Sequence, residues 1–350
     1  SKNLMTVRLA NEVGMPAKSG VSGCIMAVIP GQVGVAVYSP PLDAQGNSVR
    51  GIKVCQDISN EFDLHAFNNR TNVRSVIRRI YHGDRVRSSR LRTAQERNTL
   101  DAEGVKIAVV EAQGALFFGS TERLLRRIAE LSETARYIVV DFKRVHLADS
   151  AARKLIFKLA HGMRDGETEL LFAELANDGP LATVSHELAA HEVDRLVRVF
   201  RDVDAALEWC EDQLLVEMLK IAPGTKFALA QLDVFKGMSL EEYRLLETIV
   251  SPLIFDKGEI IIREGDQAKL FFVLARGSVS VQIKVPTQTG EKRRRVASLG
   301  PGLTFGEMAL FDGGARSADV VADEKVICYG LAVEQLKELA VAHPNIMVTI

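Results

Sequence analysis

Residues 14–48, GMPAKSGVSGCIMAVIPGQVGVAVYSPPLDAQGNS, set the fold at the front of the chain. Two β-rich runs, Ile25 to Ile29 and Val33 to Tyr38, flank Pro30-Gly31-Gln32, a good hairpin turn. Asp43 to Asn47 form a second turn, and Ser48 to Phe62 follow with Val49, Ile52, Val54 and Ile58 at helical spacing. Ahead of the strands, Leu4, Val7, Ala10 and Val13 mark another helix. The triplet Lys18-Ser19-Gly20 leads into the first strand, where it has a definite chemical use. The lysine sets a fixed positive charge beside a hydroxyl that donates to a substrate carboxylate or proton network. The glycine lets backbone approach the substrate, and amides there can hold a developing oxyanion. Three residues alone are a weak signal.

Downstream the pattern changes three times. Residues 67–100 crowd in Arg70, Arg74, Arg78, Arg79, Arg85, Arg87, Arg90, Arg92 and Arg97 with few aromatics to stack on bases. A solvated linker, or a strap against an acidic neighbouring face, fits better than a nucleic-acid site. Residues 103–215 alternate strand and helix: strands at Val105 to Val110, Leu116 to Phe118, Ile138 to Phe142, Glu169 to Ala173 and Val197 to Phe200. Between and after them lie helices from Ser120, read as a cap, to Leu131, from Ala151 to Met163, from Leu181 to Leu188 and from Val203 to Leu215. That alternation implies a mostly parallel or mixed sheet with helices packed on it. From residue 225 a helix (Leu240 to Val250) leads into short β-runs punctuated by glycine, such as Ser278 to Ile283, before a helix resumes at Val333. Regular turns of this kind predict a compact β-roll or barrel.

Composition agrees with several globular units. The 350 residues are 47% hydrophobic and 25% charged, with a net charge of -1. Such a balance excludes a generic nucleic-acid or membrane-surface binder. Cys24, Cys55, Cys210 and Cys328 form no C-x-x-C pair, which argues against a metal centre and a disulfide framework. A secretory leader and an apolar run of about eighteen residues are both lacking, so a cytoplasmic protein is expected, with neither a membrane nor a nucleic acid as partner. The chain opens on Ser1 and closes within an apolar pattern at Ile350, so a piece of a longer protein is expected.

The block from Gly14 through Pro16-Ala17-Lys18-Ser19-Gly20-Val21 to Asn47-Ser48 resembles the C-terminal end of the serine-dependent, β-lactamase-like glutaminases. The resemblance implies hydrolysis of L-glutamine to L-glutamate and ammonia through an acyl-enzyme, with no catalytic cofactor. It assigns Lys18 and Ser19 to the catalytic site and Gly20 and Val21 to substrate binding. The family's Ser-x-x-Lys nucleophile element does not occur in these 350 residues, where the nearest approaches are Ser150-Ala-Ala-Arg153 and Ser89-Arg-Leu-Arg92. The fragment alone is therefore expected to be inactive.

Val139-Val-Asp141-Phe142, then Asp149-Ser150-Ala151-Ala152 opening a helix, resembles a STAS domain, which implies a protein partner. With Ala151 at one of the family's two hydroxyl positions, Ser150 reads as a helix cap rather than a phosphate acceptor. Phe305-Gly306-Glu307-Met308-Ala309-Leu310 and Arg316-Ser317-Ala318 resemble the phosphate cassette of a cyclic nucleotide-binding domain. That likeness implies cAMP or cGMP as a regulatory ligand, held by Gly306, Glu307, Met308, Ala309, Arg316 and Ser317. Arg316 would pair with phosphate oxygens, Glu307 would accept from a ribose hydroxyl, and amides at the start of a short helix would face the phosphate.

The resulting expectation is a multi-domain α/β and α+β protein. It comprises the end of a glutaminase domain (1–66), an arginine-rich linker (67–102), a STAS-like domain (103–215) and a cyclic nucleotide-binding β-roll (225–350) whose closing helix is cut off after Ile350. A homo-oligomer is expected. Two functional classes stay open: a glutaminase with C-terminal regulatory modules, or a non-enzymatic cyclic-nucleotide sensor with an inactive N-terminal remnant.

Overall fold

The computed structural model describes residues 14–29, 33–44, 46–62, 75–163, 166–175, 179–182, 184, 197–220, 224–287, 290–307 and 314–344. The expected helix around Leu4 to Val13 and the Pro30 to Gln32 turn lie outside these residues, as does most of the Leu181 to Leu188 helix. In chain order the first elements are β1 (Ala17–Ser19), β2 (Cys24–Ile29), β3 (Val33–Tyr38), α1 (Val49–Phe62), β4 (Ile77–His82), β5 (Arg90–Leu91) and α2 (Ala94–Glu103). Next come β6 (Ile107–Leu116), α3 (Phe118–Leu131), β7 (Tyr137–Ala148), α4 (Ser150–Gly162), β8 (Glu169–Ala173), β9 (Arg198–Phe200) and α5 (Val203–Leu219). The last group is α6 (Leu240–Ile249), β10 (Val250–Phe255), β11 (Ile260–Ile262), β12 (Leu270–Arg276), β13 (Val279–Thr287), β14 (Gly290–Leu299), β15 (Thr304–Phe305), β16 (Asp319–Ala322), β17 (Val326–Ala332) and α7 (Val333–Ala342). Two compact units result, Ser1–Val86 with Val105–Cys210, and Arg87–Gly104 with Glu211–Ile350.

In the first unit, β1-β2-β3 is an antiparallel sheet. Period-2 alternation sends Ile25, Ala27 and Ile29 into a core shared with Cys55 of α1, while Met26 and Val28 face outward. A second, five-stranded sheet has the order β4-β6-β7-β8-β9, parallel except for β4. Its central runs Ile107 to Val110 and Ile138 to Val140 are wholly buried, because helices cover a parallel sheet on both faces. α3 contributes Leu124, Ile128 and Leu131 at intervals of four and three, and α4 contributes Ala152, Ile156 and Ala160.

Three local expectations need correction here. The two strands expected at Val105 to Val110 and Leu116 to Phe118 are one strand, and Phe118 already begins α3. The polar stretch Glu111-Ala-Gln-Gly114 lies within the single strand. Register shifts with Gly114 at φ +80° carry the strand through it, and Arg78 and Arg79 hold Glu111. Ser120 sits one turn inside α3, where its Oγ accepts from the Phe117 N–H at 2.9 Å, rather than at the cap position. Asp149, not Ser150, caps α4, its carboxylate accepting from the Ala152 N–H at 2.6 Å.

The second unit is a β-roll of two sheets, β10-β17-β12-β15 and β11-β16-β13-β14-β5. Alternation along β12 divides its two cores. Phe271 and Val273 pack with Leu246 of α6 and Leu336 of α7, while Phe272 and Leu274 face the roll interior with Ile262, Phe305 and Val320. The Phe272 and Phe305 rings stack 5.0 Å apart.

The arginine-rich stretch is not simply solvated. Residues 77–82 form β4 of the first unit's sheet, and Arg87–Gly104 belong to the roll. There β5 pairs in parallel with β14, Arg90 opposite Ser298 and Leu91 opposite Leu299. Thr93 then caps α2 through a capping box with Glu96. The strap meets an acidic face, as one reading of the sequence expects. Arg92, 4% exposed, binds Glu211 at 2.8 Å and also Asp212, and Arg90 reaches Asp212 at 3.1 Å.

Candidate functional sites

Lys18 and Ser19 lie on β1, and Gly20 and Val21 in the turn that returns to β2. Lys18 stands opposite Met26 on the outward face of the sheet, alongside exposed Val28 and Tyr38. The Ser19 hydroxyl donates to Asn47 Oδ1 at 3.1 Å. Asn47, 7% exposed, is itself fixed by Asp43, whose carboxylate accepts from the Asn47 backbone N–H at 2.9 Å and from its side-chain amide at 3.4 Å. The turn that appeared in the sequence only as punctuation therefore orients the serine. Asp43 and Asn47 were legible as the ends of a turn, but the reach of Asn47 across to Ser19 was not. Gly20 N–H donates to Cys24 O at 2.7 Å, and Gly23 N–H to Gly20 O at 3.0 Å. The Gly20 amide is thus occupied by the turn and is not a free oxyanion donor in this arrangement. Val21 is 86% exposed.

The second site is a cavity of about 260 Å3 in the roll, lined among others by Ile262, Leu299, Phe305, Gly306, Glu307, Arg316, Ser317 and Leu91. It gathers every cassette residue expected from the sequence except Met308 and Ala309, which lie outside the described residues. Gly306 has φ +81°, and a Cβ there would stand 2.6 Å from Arg316 Nη1. The position requires glycine for its conformation and for the arginine's passage. Arg316 Nη1 donates to Gly306 O at 2.9 Å, and Nη2 donates to Leu270 O. Its backbone is tied to the neighbouring turn, with Arg316 N–H to Asp266 O at 2.9 Å and Gly265 N–H to Arg316 O at 2.8 Å. A guanidinium has five N–H donors, so these two carbonyls aim the fork without using all of it. Burial lowers the Arg316 pKa, with Glu307 and Asp266 pulling it back up, and the group stays cationic. A cation set in an apolar cavity, beside an exposed carboxylate and a hydroxyl, suits an anion that carries hydroxyl groups. The lining residue that sequence reading missed is Leu91, more than two hundred positions upstream of its strand partner Leu299.

No helix among the described residues is long and apolar enough to cross a membrane. Among the same residues no group of three or more His, Cys, Asp or Glu is placed to hold a metal ion.

Three stretches of the chain have known counterparts. Residues 6–67 match the glutaminase family model, 99–206 the STAS domain and 252–343 the cyclic nucleotide-binding domain. The chain therefore joins a glutaminase-family segment, a STAS domain and a cyclic nucleotide-binding domain, in that order, within a multi-domain α/β and α+β fold. Over 95% of its length it is 33% identical to glutaminase 2 of Bradyrhizobium diazoefficiens, and over 95% it is 31% identical to glutaminase 1 of the same organism. It spans about half of those relatives, 52% and 53% of their lengths. A glutaminase of Trichormus variabilis is 64% identical over 58 residues, 17% of each chain.

Proposed function

We propose that the intact protein hydrolyses L-glutamine to L-glutamate and ammonia through a serine acyl-enzyme, with C-terminal modules that regulate it. The observation that carries this reading is the 33% identity to a glutaminase maintained across 95% of the chain, all three domains included. Lys18 supplies positive charge beside the substrate and Ser19 a hydroxyl held in place by Asn47. Gly20 and Val21, in the turn after β1, border the bound substrate. Catalysis needs no cofactor, and this segment without a Ser-x-x-Lys element is inert. The cavity at Arg316 binds cAMP or cGMP, with Gly306, Glu307, Met308, Ala309 and Ser317 completing the contacts. The STAS domain docks a protein partner, and the protein acts as a homo-oligomer.

Two measurements test this. In the intact protein, Lys18→Ala abolishes glutamine hydrolysis, and unchanged turnover removes Lys18 from the mechanism. Calorimetry on this chain shows binding of cAMP or cGMP that Arg316→Ala weakens at least tenfold, as expected for loss of a charge-assisted pair. The competing reading, a nucleotide sensor with an inactive remnant, is favoured if the intact protein binds nucleotide yet releases no ammonia from glutamine.

A further inference from the structure

The residue that no cassette motif contains, Leu91, leads to a second conclusion about the roll. Leu91 is 52% exposed although it sits in a paired strand, and it lines the same cavity as Glu307 and Arg316. A half-exposed apolar side chain that lines a cavity offers apolar surface to whatever fills it. Its position is fixed from several sides. β5 adds to the edge of the roll sheet beside β14. Ser88 donates to Glu211 through its backbone N–H at 2.8 Å and its hydroxyl at 2.7 Å. The strap also fits closely over the turn after β14: a Cβ at Gly300 would lie 2.7 Å from Arg90 Nη2, and one at Gly302 would lie 3.1 Å from Thr93 Cγ2. Glycines at both positions let the strap lie this near.

We propose that Arg87–Thr93 is a structural wall of the nucleotide site, with Leu91 packing on the apolar surface of the bound nucleotide, so that occupancy of the cavity and docking of the strap stabilise each other. The inference rests on the nucleotide reading above. The strap lies in sequence between the glutaminase-family segment and the STAS domain, so the ligand acts on a stretch of chain that joins the two. The coupling is reciprocal: whatever loosens the strap weakens the nucleotide, and the nucleotide tightens the strap by the same factor.

The experiment is calorimetry of this chain with cAMP and with cGMP, for the wild type, Leu91→Ala, Leu91→Asp and Leu91→Met, paired with amide exchange over residues 88–93. Leu91→Ala weakens binding about fourfold, the scale of one buried methylene. Leu91→Asp weakens it more than tenfold, and Leu91→Met stays within about twofold because it restores an apolar wall. Saturating nucleotide slows exchange of the strap amides in the wild type. Equal affinity for wild type and Leu91→Asp, or exchange of residues 88–93 indifferent to nucleotide, overturns the inference while leaving the nucleotide reading standing. A wild type that binds neither nucleotide overturns that reading, and the inference with it. Because Leu91 is half exposed, its variants fold, and an unchanged melting temperature without nucleotide checks this.

Discussion

Replacing Arg92 by alanine removes the cation at the centre of the cluster that pins the strap. The side chains of Arg92 and Glu211 are 3% and 1% exposed, and Arg92 reaches Glu211 from Nη2 at 2.8 Å and from Nε at 3.3 Å while also binding Asp212. Burial alone would lower the Arg92 pKa, but Asp212 and Glu211 hold it above its usual value. Removing one member of a buried pair costs about 3–5 kcal/mol, because the other charge is left without compensation. Glu211 keeps two hydrogen bonds from Ser88, which places the loss near the lower end, about 3 kcal/mol. For a unit the size of Arg87–Gly104 plus Glu211–Ile350, that corresponds to a fall of about 6–12 °C in the melting temperature. Scanning calorimetry of the chain measures it. Arg92→Met combined with Glu211→Met recovers most of the loss, since a well-packed apolar pair replaces a desolvated ionic one at little cost. A fall below about 2 °C for Arg92→Ala would refute the reasoning, as would Arg92→Ala and Glu211→Ala losses that simply add in the double variant, because groups in contact must couple.

Three further outcomes are expected. Burial would raise the Glu111 pKa, but hydrogen bonds from Arg79 at 2.7 Å and from Arg78 outweigh it and hold the carboxyl below 4.5. Its stabilisation is therefore present above about pH 4.5 and is lost as pH falls through the lowered value. Since both arginines are more than a third exposed, Glu111→Gln costs only about 1 kcal/mol near neutrality in urea melts, and the gap to wild type narrows as pH falls below about 4.5. A gap that does not narrow with acidification contradicts the assignment. Asp141, opposite Glu111 in register, works in the other direction: burial raises its pKa, so its charge costs stability at pH above the raised value. Gly306→Ala forces a strained positive φ and a clash with Arg316, costing about 1–3 kcal/mol and the nucleotide affinity together. Retained affinity on titration would show that Arg316 need not hold its present position. Burial pushes the Cys328 thiol up to about 12. Cys55, Cys210 and Cys328 are buried while Cys24 is half-buried. A thiol reagent at pH 8 therefore modifies Cys24 in the folded chain and reaches Cys328 only after denaturation.

Much of this was legible because it is written locally. Ile25 to Ile29 and Glu169 to Ala173 announced strands by their apolar runs and flanking turns, and the observed strands are Cys24–Ile29, one residue longer, and Glu169–Ala173. The cassette pair Glu307 and Arg316 could be read because ten residues of motif hold both ends. What failed to show was nonlocal. β4 carries Arg78 and Arg79 in a run of arginines, and only the buried Glu111 on the neighbouring strand makes that run an edge strand. Leu91, between two arginines, has no periodic partner; β14 gives it a strand's geometry, and the cavity gives it a use. Asn47 similarly reads locally as a turn residue, and its bond from Ser19 comes from a distant part of the sequence. In each case the deciding partner lies 28 or more positions away, beyond the reach of any local pattern.

The roll is assembled from two stretches of sequence with Val105–Cys210 of the first unit written between them. On the ribosome its earliest strand, β5, is made long before its partner β14. At synthesis rates of about 5–20 residues per second, Leu91 waits roughly 10–40 s for Leu299 to emerge. All that time an edge segment with no sheet to join must avoid pairing with something else. The run Arg85, Arg87, Arg90, Arg92 and Arg97 suits that wait, since like charges repel and keep a nascent strand hydrated until Glu211 and Asp212 are made. The arginines that later lock the strap thus also guard it while the chain is incomplete.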